Sequence, residues 1–227
     1  MLIVIENVLT QGEVAEFREA LGGARWLDGA GSAGTRSIAV KQNVQADRAD
    51  PVVADLAGRL LARLGRTPLF LSAALPEKIW PPVFNCYQEG GHYGVHSDSA
   101  LMHLPEQNLT LRSDLAATLF LSDPADYDGG ELMIEEAFGA QAVKLAAGDM
   151  VLYPASSLHQ VTPVTRGRRI CAITWLQSAV PDGAARELLF DLDQAIQALA
   201  PECPADDARI DRLVHVYHNL VRRWARV

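Results

Sequence analysis

Apolar and polar positions along this chain change their rhythm twice. Leu2-Ile3-Val4-Ile5 is a short apolar run of strand length. After it, Thr10-Gln11-Gly12-Glu13 has the Ser/Thr-x-x-Glu form in which two side chains satisfy the free amides of a helix start. Phe17, Ala20 and Leu21 carry the helical stripe on to Gly22-Gly23, where it stops. Ser37 to Gln42 reads as a strand. Asp50-Pro51 opens a second helix, with proline at the position where a missing N–H costs nothing; Val53, Leu56, Leu60, Leu61 and Leu64 form its apolar face. From 83 to 177 the helical period disappears. Short β-prone stretches at 83–88, 113–122, 131–135, 141–145, 149–153, 158–164 and 168–177 alternate with turns at Gly90-Gly91, Asp123-Pro124, Asp128-Gly129-Gly130, Gly148-Asp149 and Arg166-Gly167. Many short strands at this spacing predict a sandwich or barrel, of which the cupin-like jelly roll is one form. Residues 99–112 read as a long loop, and loops of that length are more often functional than idle. The helical period returns at 183–199 and 205–226. In the last segment Ile210, Leu213, Val214, Tyr217, Leu220, Val221 and Trp224 line one side. Asp206 and Asp207 sit at its start and Arg222, Arg223 and Arg226 at its end, which suits the helix dipole.

The chain has 227 residues, enough for one large β domain with helical additions or for two small domains. A formal net charge of -8 argues against nucleic-acid or anionic-membrane partners, which need clustered Lys and Arg. No run approaches the ~18–20 apolar residues of a membrane span, and the N-terminus lacks the basic start of a signal peptide. Cys86, Cys171 and Cys203 have neither zinc-ribbon nor CxxC spacing. Reduced thiols in a cytoplasm are the expectation.

Against this background one constellation carries chemistry. His96 and Asp98 follow a strand and a Gly-Gly turn. In extended backbone, residues two apart point the same way, so both side chains reach one ion. His159 stands at the entry to another predicted strand, which a rolled sheet can lay beside the first. Two imidazoles and one carboxylate are the set that holds non-haem Fe(II) on one face and leaves the other positions open. A His-x-Asp pair alone is weak evidence, and His92, His103, His215 and His218 are expected to be ordinary surface or hydrogen-bonded residues. Arg169 shares parity with Cys171, Ile173 and Trp175. If those face a barrel interior, so does Arg169, and a buried guanidinium needs an anion; Arg168 would then be wet. Tyr87 and Tyr93 either bind a co-substrate carboxylate or pack.

Taken together, Tyr87, Gly90, Tyr93, His96 and Asp98, then His159 and Arg169, give a pattern that resembles the prolyl and lysyl hydroxylase domain of the Fe(II)/2-oxoglutarate dioxygenases. Arg112 to Pro124, Tyr127 to Leu132 and Trp175-Leu176-Gln177-Ser178 narrow the resemblance to the bacterial PKHD-type hydroxylases (the PiuC/YbiX group), linked by name and context to iron uptake. The resemblance runs nearly end to end. It implies a mainly β fold with flanking helices: a double-stranded β-helix (jelly-roll, cupin-like) core, N-terminal helices and a C-terminal helical extension. It implies a dioxygenase domain over 1–178, with the core from about 80 to 178 and N-terminal α/β support over 1–79, followed by the extension at 179–227. It carries iron ligation onto His96, Asp98 and His159, and 2-oxoglutarate binding onto Arg169 and Tyr87. The implied activity is hydroxylation of an unactivated C–H with O2 and 2-oxoglutarate, releasing succinate and CO2. L-Ascorbate would stimulate it by re-reducing stalled iron. The substrate, a small molecule or a peptidyl side chain, is expected at a mouth formed by 99–112, the N-terminal third and the Tyr127–Gly130 turn.

Two other readings remain open at this stage. Two histidines and a carboxylate also bind zinc in hydrolases, although no glutamate is obviously placed as general base. A sensor of metal or 2-oxoglutarate would bind both without turnover. The apolar stripe of the last helix is expected to pack against the barrel; the alternative is pairing with a second copy, as a homodimer.

Overall fold

The computed structural model describes residues 1–32, 40–105, 108–136 and 139–227. Among the described residues two antiparallel sheets form the body. The larger has nine strands and runs in the order Ile3–Ile5, Met150–Pro154, Leu115–Phe120, Val164–Ser178, Val83–Gln88, Val44–Ala46 and Trp26–Asp28. Pro76–Ile79 and Tyr127–Gly129 also pair with the long strand Val164–Ser178. The smaller has five strands, in the order Gly139–Val143, Leu132–Glu136, His159–Val161, His92–His96 and Lys41–Gln42. Packed face to face, they make the expected jelly-roll core.

Alternation along the large-sheet strands builds two cores, because successive side chains point to opposite faces. Leu115, Ala117 and Leu119 join one core, while Ala116 and Phe120 join the other. Met150 and Leu152 divide from Val151 and Tyr153 in the same way. The first core lies under three helices: α1 (Gln11–Gly23), α2 (Pro51–Leu64) and α3 (Pro68–Ala74). Phe17 and Leu21 of α1, Leu56 and Leu60 of α2 and Phe70 of α3 cover it. The second core is enclosed between the two sheets and includes Tyr87, Tyr127, Leu132, Ile134 and Cys171. Strands buried on both faces explain why 115–121 is so apolar without alternation.

Local chemistry sets the helix ends. Both bonds of the Thr10/Glu13 capping box are present. Asp50 caps α2 through the amide of Val52, with Pro51 at the first helical position. The C-terminal extension forms α4 (Gly183–Leu199) and α5 (Ala208–Trp224). Tyr217, Leu220, Val221 and Trp224 of α5 pack onto Val180, Ala185 and Leu189. The stripe is therefore taken up largely by α4 rather than by the barrel wall. No helix of the described residues is long and apolar enough to cross a membrane.

Several expected boundaries move. His92–His96 is itself a strand rather than the tail of a turn. Residues 99–112, read as a loop, contain a hairpin: Leu101–Leu104 pairs with Leu109–Arg112. Leu111 is fully buried against Trp80 and Val83, which anchors it. Arg166-Gly167 does not end a strand, since Val164–Ser178 is continuous through it. Gly167, at φ 75, lies so close to the Asp126 carbonyl that a Cβ would overlap it, and the interruption falls instead before Val164, beside Pro163. Of the strand expected over 37–42, Lys41–Gln42 is seen and residues 37–39 lie outside the described residues.

Candidate active site

The ladder between His92–His96 and His159–Val161 pairs His159 with His96. Their rings meet with centroids 4.2 Å apart. Asp98, two residues past His96, is tethered by its N–H to the Ala155 carbonyl (3.4 Å), and its Oδ1 stands 4.0 Å from His159 Nε2. One ligand atom from each of His96, Asp98 and His159 lies within 4.8 Å of the others.

Each imidazole is held in one tautomer. Nδ1 of His96 meets the Gly94 carbonyl at 2.8 Å, and Nδ1 of His159 meets the Ser157 carbonyl at 3.0 Å. A carbonyl only accepts, so both Nδ1 atoms carry a proton and Nε2 of each ring is the atom left to face a metal. Tyr93 stacks on His96 (3.6 Å, 19°) and Tyr153 meets His159 edge-on (5.3 Å). Burial pulls the His96 pKa down to about 4, aided by His159 and opposed by the Gly94 carbonyl. At neutral pH the ring is in its metal-binding form. Burial raises the pKa of Asp98, while His159, Trp175 and Lys41 pull the other way. Its Oδ2 is buried without a partner. Two imidazoles with Nδ1 engaged, beside a carboxylate with an orphaned oxygen, fit a divalent cation of the Fe(II) type.

A second cluster surrounds Arg169, which is 1% exposed. The sheet pairs it with Tyr87. The rings of Tyr87 and Phe120 each lie 5.2 Å from its guanidinium carbon. Gly130, at φ +67, leaves room for it: a Cβ there would sit 3.0 Å from both Arg169 Cδ and Tyr127 Cε2. Nη1 of Arg169 donates to Cys171 Sγ at 3.0 Å. Nε and Nη2 are buried and unpartnered. That same edge is the one with which Arg112 grips Asp114 and Arg166 grips Asp128, each by two bonds of 2.7 and 2.9 Å. The phenol oxygens of Tyr87 and Tyr127 are likewise buried without partners. Burial lifts Tyr87 above the ordinary phenol range, Tyr127 to about 12, and the Cys171 thiol upward. All three are neutral at pH 7 and leave the guanidinium charge unanswered. A small carboxylate is the chemical complement of this pocket.

Parity along 169–175 located Arg169 in the interior, and Arg168 is exposed. It could not separate Tyr87 from Tyr93; the structure sets Tyr87 beside Arg169 and Tyr93 on His96. His92, His103, His215 and His218 lie outside the cluster; His103 bonds Thr110 and His215 bonds Asn219. The sequence reads Tyr127 only as part of a turn at the substrate mouth, and it does not single out Tyr153 or Lys41 as site residues. Tyr153 had a signal, the parity it shares with Val151, whereas Tyr127 sits at a turn where parity says nothing. Lys41 Nζ stands 5.0 Å over the Tyr93 ring, and burial lowers its pKa to about 8 against the pull of Asp28 and Asp98. Its strand is legible in the sequence, but the pairing with His92–His96 that brings Lys41 to the site is not. Among the described residues the three cysteines are free.

Comparison with known proteins supplies independent findings. Residues 82–177 match the model of the 2OG-Fe(II) oxygenase superfamily, and residues 183–226 match that of the PKHD-type hydroxylase C-terminal domain. A PKHD-type hydroxylase of Teredinibacter turnerae is 60% identical over 226 residues, covering 100% of both chains. One from Acidovorax ebreus is 56% identical, again over 100% of both. Among solved structures, a Pseudomonas putida prolyl-4-hydroxylase aligns with TM-score 0.51 and 21% identity, covering 78% of this chain and 92% of that one. A prolyl hydroxylase from Trichoplax adhaerens, in complex with a hypoxia inducible factor oxygen degradation domain peptide fragment, aligns with TM-score 0.54 and 14% identity, covering 82% and 86%. These two share the fold.

Proposed function

Because this chain belongs to the PKHD-type hydroxylases and is a 2-oxoglutarate-dependent hydroxylase, we propose that His96, Asp98 and His159 hold its Fe(II), and that Arg169, with Tyr87 beside it, binds the distal carboxylate of 2-oxoglutarate. The observation that carries this reading is the meeting of three ligand atoms within 4.8 Å of one another. Bound there, iron and 2-oxoglutarate supply the oxidising chemistry that turns an unactivated C–H into C–OH, with O2 consumed and succinate and CO2 released.

The chain's own residues do the positioning. The Gly94 and Ser157 carbonyls engage Nδ1 of each ring and leave its Nε2 for the metal. Tyr93 and Tyr153 hold the ring planes. The dry interior around Arg169 makes a bidentate carboxylate contact worth more than it would be in water.

The C–H substrate is a small molecule or a peptidyl side chain. It enters by a mouth that includes the 101–112 hairpin, directly after Asp98. Leu101 there is 70% exposed, an apolar surface available for a ligand to cover. The resemblance extends the proposal to a cytoplasmic role in iron uptake and to stimulation by ascorbate. The test is to measure bound iron and 2-oxoglutarate-dependent succinate in wild type, His96→Ala, Asp98→Ala and His159→Ala. Each variant loses both. Normal iron and normal succinate in any one of them would remove that residue from the site.

A further inference from the structure

A cavity of about 260 Å³ lies where the catalytic core meets the C-terminal extension, and it shares no residue with the iron and co-substrate cluster. Its walls include Ser113, Asp114, Ser156, Gly183, Arg186 and Glu187. Arg186 is 5% exposed. Its Nη1 donates to the Val180 and Pro181 carbonyls at 2.7 and 2.9 Å. Its Nε is buried with no partner. No hydrogen bond engages the Nε/Nη2 edge among the described residues, and it is the edge that grips carboxylates elsewhere in this chain.

The nearby acids do not answer Arg186. Asp114 is already taken by Arg112 and by the amide of Ser178, and Asp182 caps α4 through the amide of Ala185. Among the described residues Arg186 forms no ion pair, and burial lowers its pKa despite the pull of Asp114 and Asp182. A guanidinium held this deep costs stability unless an anion reaches it. Glu187 is exposed on the same wall. The wall therefore sets a buried guanidinium, with Asp114 already held by Arg112 beside it, behind the exposed Glu187 carboxylate, a pattern that disfavours multiply charged anions such as phosphate and polycarboxylates.

We propose that this cavity is a second ligand site, which takes a small molecule with a single carboxylate on Arg186 and a neutral or cationic remainder, as in a free amino acid. The volume admits a ligand of that size. One wall is continuous with the backbone of the active site: Ser113 Oγ donates to the Ser99 carbonyl at 2.5 Å, and Ala155, beside Ser156, accepts from the amide of Asp98. An occupant would touch Ser113 and Ser156, one hydrogen bond or a few residues away from the segments that carry Asp98 and His159.

Calorimetric titration tests the site, with acetate, L-alanine, L-lysine, phosphate and citrate as probes. The proteins are wild type, Arg169→Ala, Arg186→Gln and Gly183→Leu. Gly183 is an exposed first residue of α4, and a Cβ on it would stand 3.7 Å from Arg186 Nη2, so leucine there blocks the edge while leaving Arg186 in place. If Arg186→Gln fails to fold, Gly183→Leu still decides. The expected result is binding of at least one of the three monocarboxylates to wild type and to Arg169→Ala, weakened about tenfold or more in Gly183→Leu. Phosphate and citrate stay silent. No monocarboxylate binding to wild type, unchanged binding in Gly183→Leu, or loss confined to Arg169→Ala would each overturn the proposal.

Discussion

Arg169 concentrates the residue-scale argument, because a fully buried guanidinium with two idle donors is costly unless something completes it. Removing one partner of a buried charge-assisted pair costs roughly 2–5 kcal/mol. Arg169→Ala should therefore raise the 2-oxoglutarate concentration needed for half-maximal succinate release by about 30-fold or more, with iron content unchanged. Arg169→Lys should not restore it, since an ammonium has no planar edge for two parallel bonds. An unchanged co-substrate response would assign that carboxylate to another cation. Gly130 gives a second test at this scale. Its φ of +67 and the 3.0 Å approach to Arg169 Cδ leave no place for a methyl group. Gly130→Ala should cost about 1–3 kcal/mol in urea unfolding and should weaken 2-oxoglutarate by displacing Arg169. A variant with wild-type stability and affinity would show that the contact is slack.

Elements decide which side chains meet. The α4–α5 pair packs Tyr217, Leu220, Val221 and Trp224 of the last apolar stripe within the chain, so the protein should be monomeric by light scattering at micromolar concentration. Leu189→Asp, at a position with 0% exposure, should cost more than about 3 kcal/mol and free α5 for proteolysis; an intact, stable α5 in that variant would mean its stripe is held elsewhere. What could be read from the chain follows the same physics. Capped amphipathic helices were legible because Thr10, Glu13, Asp50 and Pro51 mark their starts, and 183–199 was found at its true bounds. His92–His96 was not, because its strand is short, polar and shadowed by Gly90-Gly91, and its partner is far away in sequence. The 101–112 hairpin was hidden for a related reason: its order rests on Leu111 finding Trp80 and Val83, a tertiary fact. Parity exposed Arg169 and would have exposed Tyr153, but it is silent across turns, which is where Tyr127 lies.

At the scale of the whole molecule, helices, large sheet and small sheet form three layers, and the site occupies the second interface. That dry interface holds three phenols, Tyr87, Tyr127 and Tyr153, all raised by burial. An acid whose folded pKa is raised stabilises the fold below its unfolded value and loses that contribution as pH climbs to the folded value. For Tyr127 the window runs from about 10 to about 12. Urea unfolding at pH 9 and pH 11 should therefore show falling stability, less steep in Tyr127→Phe; equal slopes would mean the phenol is solvated. The same architecture brings His96 and His159 into register from strands that are distant along the chain, and the central claim rests on that convergence. Anaerobic addition of Fe(II) and then 2-oxoglutarate tests it most directly. The account predicts one iron per chain and a visible metal-to-ligand charge-transfer band in wild type. In Arg169→Ala that band should need far more 2-oxoglutarate, and in His159→Ala it should be absent. A wild-type protein that binds no iron, or a His159→Ala protein with an undiminished band, would contradict it.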